Sequence, residues 1–139
     1  MIKGGIAVDD RGCVRFVNDF NFAGVKRFYE VENHRVGFIR AWHGHQLEGK
    51  YVFVAGGSAL VGAAPLSAEI GDLSLVRRFV LSDKSPAVLW IPGGHYNGFM
   101  NLEKNTRMLF FSTSSMEEAK DDDIRRPFDM WNIWAEDFR

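Results

Sequence analysis

The feature that most constrains the fold is a succession of short apolar segments separated by turn-forming residues. The segments are rich in Val, Ile, Phe, Tyr and Leu. The breaks between them carry Gly, Asn, Asp, Ser or Pro, a pattern typical of β-strands with frequent chain reversals. The pattern predicts nine strands, at residues 13–18, 25–31, 36–43, 50–56, 59–66, 73–81, 87–92, 96–102 and 107–113. We therefore expect an all-β chain, folded as a barrel or a sandwich.

Only the segment SSMEEAK, at 114–120, has the pattern of a helix. A capping box can begin it, formed either by Ser114 with Glu117 or by Ser115 with Glu118. The run DDD at 121–123 crowds negative charge and is expected at the surface. The tail after it is unusually bulky and is expected to dock on the domain or on a second subunit. Its bulky residues are Phe128, Trp131, Ile133, Trp134 and Phe138.

The length of 139 residues suits one domain, taken as residues 1–139. Seventeen basic residues face eighteen acidic ones, so charge gives no reason to expect nucleic acid or a membrane as partner. The single cysteine, Cys13, excludes an internal disulfide and favours a reducing, cytoplasmic setting. No stretch approaches the roughly 20 apolar residues of a membrane span, and the first ten residues lack the apolar core of a signal peptide.

A His-x-His pair, His43 and His45, lies just before the apolar segment 50–56. Alternate residues of a strand share a face, so the two imidazoles are expected side by side. An imidazole can ligate a metal, carry a proton or pack as a satisfied polar group. The strand pattern alone leaves these three roles open.

The surroundings of this pair resemble two motifs of the cupin superfamily. His43 and His45 match the His-x-His of the first motif, and Gly56 falls at its closing glycine. The motif's glutamate position is held by Gly49, and Asn97 replaces the histidine of the second motif, PGGHYNGFMN here. The resemblance implies a double-stranded β-helix, a jelly-roll barrel, with one short C-terminal helix. Because two of the four usual ligands are replaced, we expect no bound metal. No organic cofactor is expected either.

Two families of nucleotide-sugar enzymes resemble the chain over nearly its whole length. RAWH, EGKYV, LWIPGGHYNGFMNLE and NIW resemble segments of the dTDP-4-keto-6-deoxyhexose 3,5-epimerases. RAWHGH, together with the opening segment and the short length, resembles the dTDP-sugar 3,4-ketoisomerases. The tyrosine that the epimerases carry after a late strand is absent, with Ser114 and Ser115 in its place.

The resemblance implies proton-transfer roles for four side chains. His43 is expected to be the base, because imidazole accepts and returns protons near neutral pH. His45 is expected to be a second proton carrier and Lys50 to stabilise an oxyanion. Asp129 is expected to orient the base. The alternative for Lys50 is a strand-edge lysine that discourages aggregation.

Four further residues are expected to bind the substrate: Arg40, His95, Tyr96 and Asn97. Arg40 suits a diphosphate because guanidinium grips phosphate oxygens through two donors. Regular alternation places Arg40 on the strand face opposite His43, so its role requires a bulge or a neighbouring subunit's site. Tyr96 is expected to replace the missing acid, to stack on the ligand or to pack, and Asn97 to bond a sugar hydroxyl or the backbone.

The function implied is epimerisation of a dTDP-4-keto-6-deoxyhexose at C3, C5 or both, by proton abstraction next to the ketone. The partner implied is a nucleotide-diphosphate sugar, and the assembly implied is a homodimer. A 3,4-ketoisomerase is the first alternative, and a non-catalytic cupin that binds sugar nucleotides is the second. A metal-dependent cupin enzyme is the third.

Overall fold

Antiparallel strands make up about half of the protein, which a computed structural model describes over residues 1–135. In chain order, strands β1 to β12 are Ile2–Lys3, Gly5–Asp9, Gly12–Phe16, Arg27–Glu32, Ile39–His45, Lys50–Gly56, Ser58–Pro65, Arg77–Ser82, Ala87–Ile91, His95–Asn101, Arg107–Ser112 and Ile124–Arg125. The α-helix α1 spans Met116–Ala119, and two 3-10 helices span Leu73–Leu75 and Phe128–Trp131. Over residues 1–135, no helix is long and apolar enough to cross a membrane.

Two five-stranded antiparallel sheets pack against each other. The first has the strand order β1-β9-β6-β11-β4 and the second the order β12-β5-β10-β7-β8, while β2 and β3 form a separate hairpin. From β4 to β11 the chain passes repeatedly between the two sheets, so most consecutive strands lie in different sheets. This is the connectivity of a double-stranded β-helix, or jelly roll.

The main core lies between the sheets. Val52 and Phe110 of the first sheet pack in one cluster with Val61 and Phe99 of the second, and all four are buried. Burial of an aliphatic or aromatic side chain of this size contributes about 1.5–3 kcal/mol relative to exposure. The need to fill this space with apolar side chains explains why the strands are rich in the Val, Ile, Phe, Tyr and Leu by which they were predicted.

A second apolar cluster covers the outer face of the second sheet. It joins residues of the tail to residues of β5 and β10: Trp42, Tyr96, Trp131, Ile133 and Trp134. Trp131 is fully buried there. The prediction that the tail docks on the domain is therefore confirmed for its buried residues. Phe128 remains half exposed, and Phe138 lies outside the described residues.

The predicted strands and helix are present, with two differences. Helix α1 begins after Ser115, whose capping box with Glu118 is one of the two predicted alternatives. The first difference is at residues 73–75, which were predicted as the start of a strand. They form a 3-10 turn because the Asp72 side chain accepts the N–H of Ser74. The second is that β1, β2 and β12 were not predicted, since segments this short or glycine-rich carry little alternation.

Candidate active site

The inner face of the second sheet carries the two histidines at one end of the barrel. His43 of β5 lies beside Asn97 of β10, and Asn97 is two residues from the core residue Phe99. Partners across two strands share a face, so His43 faces the space between the sheets, and so does His45 at the alternate position. The predicted side-by-side placement of the pair is thus confirmed.

The inner face of the first sheet carries a matching polar row. Lys50 of β6 lies beside Ser112 of β11, which lies beside Arg27 of β4. Ser112 is two residues from the core residue Phe110, so this row also faces the space between the sheets. Lys50 is buried, with β9 and β11 on its two sides. The alternative that Lys50 is a strand-edge lysine is therefore wrong.

These residues line a cavity of about 330 Å³ at the mouth of the barrel. Its lining comes from β4, β5, β6, α1, β12 and the loops next to them, and consists of Arg27, His43, His45, Glu48, Lys50, Met116, Ala119, Lys120, Asp123 and Arg125. Besides the two histidines, the lining has four basic side chains, Arg27, Lys50, Lys120 and Arg125, and two carboxylates, Glu48 and Asp123. The excess of positive charge favours an anionic ligand.

Glu48 is a buried carboxylate that joins both walls of the cavity. One carboxylate oxygen accepts hydrogen bonds from Arg27, at 2.9 Å, and from the Ser112 hydroxyl, at 2.5 Å. The other lies 3.4 Å from Nδ1 of His45. The Glu48 side chain is only 2% exposed, so its charge acts on these neighbours with little screening by water.

The ring of His45 is held through Nδ1. This nitrogen lies 2.5 Å from the backbone carbonyl of Asp122. A carbonyl only accepts, so Nδ1 is the donor and carries a hydrogen. Nε2 of His45 is buried without a hydrogen-bond partner.

Asp122 clamps the loop between β5 and β6. Its carboxylate accepts the backbone N–H groups of Gln46, at 2.6 Å, and of Leu47 and Glu48, each at 3.0 Å. Burial raises the pKa of the Asp122 carboxyl, but these three donors outweigh it, and the net effect is a lowered pKa. The prediction that the DDD run lies at the surface is wrong for Asp122, because its side chain is buried to serve this loop.

Burial lowers the pKa of both His43 and Lys50. For His43, loss of hydration is the main cause, and the nearby cations Lys50 and Arg125 lower the pKa further. For Lys50, loss of hydration is again the main cause, with Glu48 opposing it and Arg27 adding to it. His43 is therefore neutral, and able to accept a proton, over a wider range of pH than an exposed histidine.

Comparison with known protein families identifies the family of the chain. The sequence model of the family described as dTDP-4-dehydrorhamnose 3,5-epimerase matches residues 2–133. The chain belongs to this family. The resemblance to dTDP-sugar epimerases and isomerases is thereby confirmed. Among proteins of curated function, none matches the sequence.

Solved structures of this family's fold are similar to the chain. The rmlC epimerase of Mycobacterium tuberculosis is 19% identical with a TM-score of 0.71, over 89% of this chain and 66% of that one. ChmJ, a 3'-monoepimerase from Streptomyces bikiniensis in complex with dTDP-quinovose, is 16% identical with a TM-score of 0.77, over 99% and 75%. QdtA, a sugar 3,4-ketoisomerase from Thermoanaerobacterium thermosaccharolyticum in complex with TDP, is 16% identical with a TM-score of 0.67, over 93% and 88%.

These similarities confirm the double-stranded β-helix of the dTDP-4-dehydrorhamnose 3,5-epimerase family. The chain spans just under two thirds of the length of the mycobacterial epimerase. At 16–19% identity the likeness concerns the fold alone. The chemistry of the site must be argued from the residues of this chain.

Three of the predicted site residues line the cavity together: His43, His45 and Lys50. Asn97 is buried beside them, and its side-chain amide donates to the carbonyl of His43 at 3.2 Å, which is one of the two roles predicted for it. His95 lies near the mouth but lines a second cavity of about 240 Å³.

Arg40 lies away from the cavity, although the bulge that its role required is present. Asn97 and Phe99 lie two positions apart on β10, whereas their β5 partners, His43 and Arg40, lie three positions apart. The side chain of Arg40 donates to Asn33 at 2.7 Å and lines a different cavity with Phe38. The structure therefore does not bring Arg40 to the histidines.

Tyr96 and Asp129 also lie outside the cavity lining. Tyr96 packs on the outer face of the second sheet against Trp131, with ring centroids 5.3 Å apart. A Cβ atom at Gly44, between the two histidines, would lie 2.7 Å from the Tyr96 ring, so this contact requires glycine there. Tyr96 thus supports the histidine strand from behind, as its packing alternative predicted. Asp129 is exposed on the last 3-10 helix.

Several residues that line the cavity were not predicted from the sequence, above all Arg27 and Glu48. Their ion pair joins positions 21 residues apart, a separation that no local pattern encodes. The one available signal was Glu48, which stands one residue before the glutamate position of the first cupin motif. Over residues 1–135, no three His, Cys, Asp or Glu side chains are grouped as a metal ion requires.

Proposed function

We propose that the protein is an epimerase that acts on a nucleoside-diphosphate-linked keto sugar at a carbon next to the ketone. The observation that carries this proposal is the placement of two titratable groups on opposite walls of one cavity. His43 comes from the second sheet and Lys50 from the first. A sugar bound between the sheets would have a base on one face and an ammonium group, which can donate a proton, on the other. Inversion at carbon requires a base and a proton donor on opposite faces.

The proposed proton transfer balances without a co-reactant. Neutral His43 takes the proton from the carbon next to the ketone, and the electron pair of the broken C–H bond forms a C=C bond as the carbonyl becomes an oxyanion. The ammonium of Lys50 stabilises that oxyanion. A proton delivered to the opposite face of the carbon, from Lys50 or from water, restores the ketone with inverted configuration. Exchange with solvent returns His43 and Lys50 to their starting states.

The charge of the cavity supports a diphosphate-linked substrate. Lys120 and Arg125 are exposed at its rim, while Lys50 and Arg27 lie deeper. Two phosphate groups at the rim would meet the two exposed cations, and the sugar would then reach the histidines. In this proposal the diphosphate role predicted for Arg40 passes to the rim cations.

A 3,4-ketoisomerase is the second candidate, and a specific observation favours it. His43 and His45 lie on one strand and one face, so both approach a bound sugar from the same side. Moving a hydrogen between C3 and C4 needs proton carriers on one face only. Among residues 1–135, no tyrosine lines the cavity to act as an acid from the other side.

Reaction with dTDP-4-keto-6-deoxyglucose in heavy water, followed by proton NMR, tests the proposal. An epimerase exchanges deuterium into C3 or C5 with inversion, whereas a ketoisomerase yields the 3-keto sugar. Retained dTDP binding with no exchange above background contradicts both and leaves the non-catalytic sugar-nucleotide binder.

The base is tested by His43→Asn, which should lower exchange on the order of a hundredfold or more, because general-base catalysis contributes that much. Binding of dTDP should change little, since the base acts on the sugar. The matched control is His34→Asn, at an exposed loop histidine outside this cavity. Equal activity in the two variants would show that His43 is not the base.

A further inference from the structure

Asp122 connects the strand that carries the histidines to the loop that carries Glu48. Its backbone carbonyl accepts from Nδ1 of His45, and its carboxylate accepts three consecutive N–H groups of residues 46–48. These contacts join positions 74 to 77 residues apart in the chain. Asp122 is only 7% exposed, so water does not compete for these acceptors.

These contacts determine which nitrogen of His45 is free. Because Nδ1 donates to a carbonyl, the neutral ring keeps its lone pair on Nε2. Nε2 has no partner although it is buried, and buried polar atoms are nearly always satisfied. The ring lines the cavity, so a bound ligand is the natural partner for this nitrogen.

The Asp122 carboxylate also fixes the position of Glu48. The N–H of Glu48 donates to Asp122, and the Glu48 carboxylate lies 3.4 Å from Nδ1 of His45. A proton accepted at Nε2 makes the ring cationic, and the nearby carboxylate stabilises that cation. Asp122 therefore supplies one neighbour of Nδ1 of His45, its own carbonyl, and holds the loop that carries the other neighbour, Glu48.

We propose that Asp122 is a positioning residue: it holds His45 with Nε2 free to exchange a proton with a bound keto sugar, as a second proton carrier beside the base His43, and it holds Glu48 beside Nδ1. This inference rests on the proposed function. Asp122 does not touch the reacting atoms, and it acts only through the ring and the loop that it holds.

The test compares Asp122→Asn with the matched control Asp121→Asn, an exposed neighbour in the same acidic run. Asparagine keeps the size of the side chain but turns an NH₂ group toward backbone donors, so the loop loses an acceptor. With His45 displaced, kcat should fall about tenfold or more, because small misplacements of a reacting group are costly. KM should change less than about threefold, and Asp121→Asn should behave as the wild type.

A spectroscopic measurement separates positioning from general stability. Nitrogen-15 NMR of histidine-labelled protein, assigned with His45→Gln, should show neutral His45 protonated at Nδ1 and not at Nε2. Asp122→Asn should shift both ring signals toward a mixture of tautomers. Unchanged His45 signals or wild-type kcat in a folded Asp122→Asn variant would overturn the proposal.

Two further outcomes remain decisive. If Asp122→Asn does not fold, the wild-type spectrum decides, because a proton on Nε2 of His45 contradicts the proposal and a proton on Nδ1 supports it. If the wild type acts on no keto sugar, the proposed function fails by itself. The two tautomer measurements still decide whether Asp122 positions His45.

Discussion

His43 and Lys50 face the same cavity, and the proposed reaction needs His43 deprotonated and Lys50 protonated. His43 must be neutral to accept a proton, so the rate falls as the pH drops below its pKa, which burial has lowered. Lys50 must be an ammonium, so the rate falls as the pH rises above its pKa, which burial has also lowered. We expect a bell-shaped dependence of kcat/KM on pH, with both limbs at lower pH than for exposed histidine and lysine.

The variant Lys50→Gln identifies the alkaline limb of that profile. Glutamine carries no titrating charge, so the alkaline limb should vanish, and the rate at the optimum should fall on the order of a hundredfold. The measurement is the exchange rate across the pH range, with dTDP binding followed in parallel. Survival of the alkaline limb in Lys50→Gln would assign it to another group.

The partly buried pair of Arg27 and Glu48 should contribute to stability more than a surface pair. Glu48→Gln leaves the Arg27 guanidinium, which is 24% exposed, facing a neutral amide. We expect the free energy of unfolding, measured in urea, to fall by about 1–3 kcal/mol. The matched control is Glu118→Gln. It removes the charge of Glu118 from its half-exposed ion pair with Lys26, and the glutamine amide can still cap the helix. Equal effects of the two substitutions would contradict this difference.

Of the eight residues that the sequence predicted at the site, three line the cavity. His43, His45 and Lys50 follow from alternation and from the family resemblance, and all three reach the cavity. Glu48 depends on a loop turned inward by Asp122, some 74 residues later. Sequence reasoning assigned the DDD run to solvent because charge normally prefers water, and only the fold offers Asp122 three buried donors.

At the scale of elements, the tail after β12 acts as a cover for the second sheet. The indole of Trp134 donates to the carbonyl of Phe128, and the indole of Trp131 donates to the carbonyl of Glu69. These bonds satisfy the polar atoms of rings that are otherwise buried among apolar groups. The tail therefore belongs to the fold that positions the histidine strand.

Replacing a buried tryptophan of the tail should lower the stability of the protein more than replacing an exposed aromatic residue nearby. Trp131 is fully buried against Trp42 and Tyr96, whereas Phe128, in the same 3-10 helix, is 49% exposed. Trp131→Ala should lower the free energy of unfolding by about 3–5 kcal/mol, and Phe128→Ala by less than about 1 kcal/mol. Urea denaturation followed by circular dichroism measures both. Similar values for the two variants would show that the tail is not a structural cover.

Element types were predictable where a segment rich in Val, Ile, Phe, Tyr and Leu lay between turn-forming residues. The strands from β4 to β11 were found for that reason, and α1 through its capping box. Pairing partners were not predictable, because β6 pairs with β9 and β11 through contacts that depend on the whole topology. The cavity is a product of that pairing, since its two walls come from different sheets.

At the scale of the molecule, an aromatic stripe crosses the outer face of the first sheet. Phe28, Phe111, Tyr51 and Trp90 are successive neighbours across β4, β11, β6 and β9. Phe22 packs on Phe111 and is itself 61% exposed, as Phe28 is 69% exposed. Contiguous apolar surface of this kind marks an interaction face.

A second copy of the chain is the partner we predict for this stripe. A two-fold axis lets one flat face cover itself, which is the commonest way that identical subunits associate. The expected solution mass, by light scattering, is twice the 15.8 kDa of the chain. Phe28→Lys places a charge in the stripe and should shift the protein toward monomer. The matched control is Val80→Lys, at an apolar residue that is 62% exposed on the second sheet, and it should remain dimeric. A monomeric wild type, or equal dissociation of the two variants, would contradict an interface at this stripe.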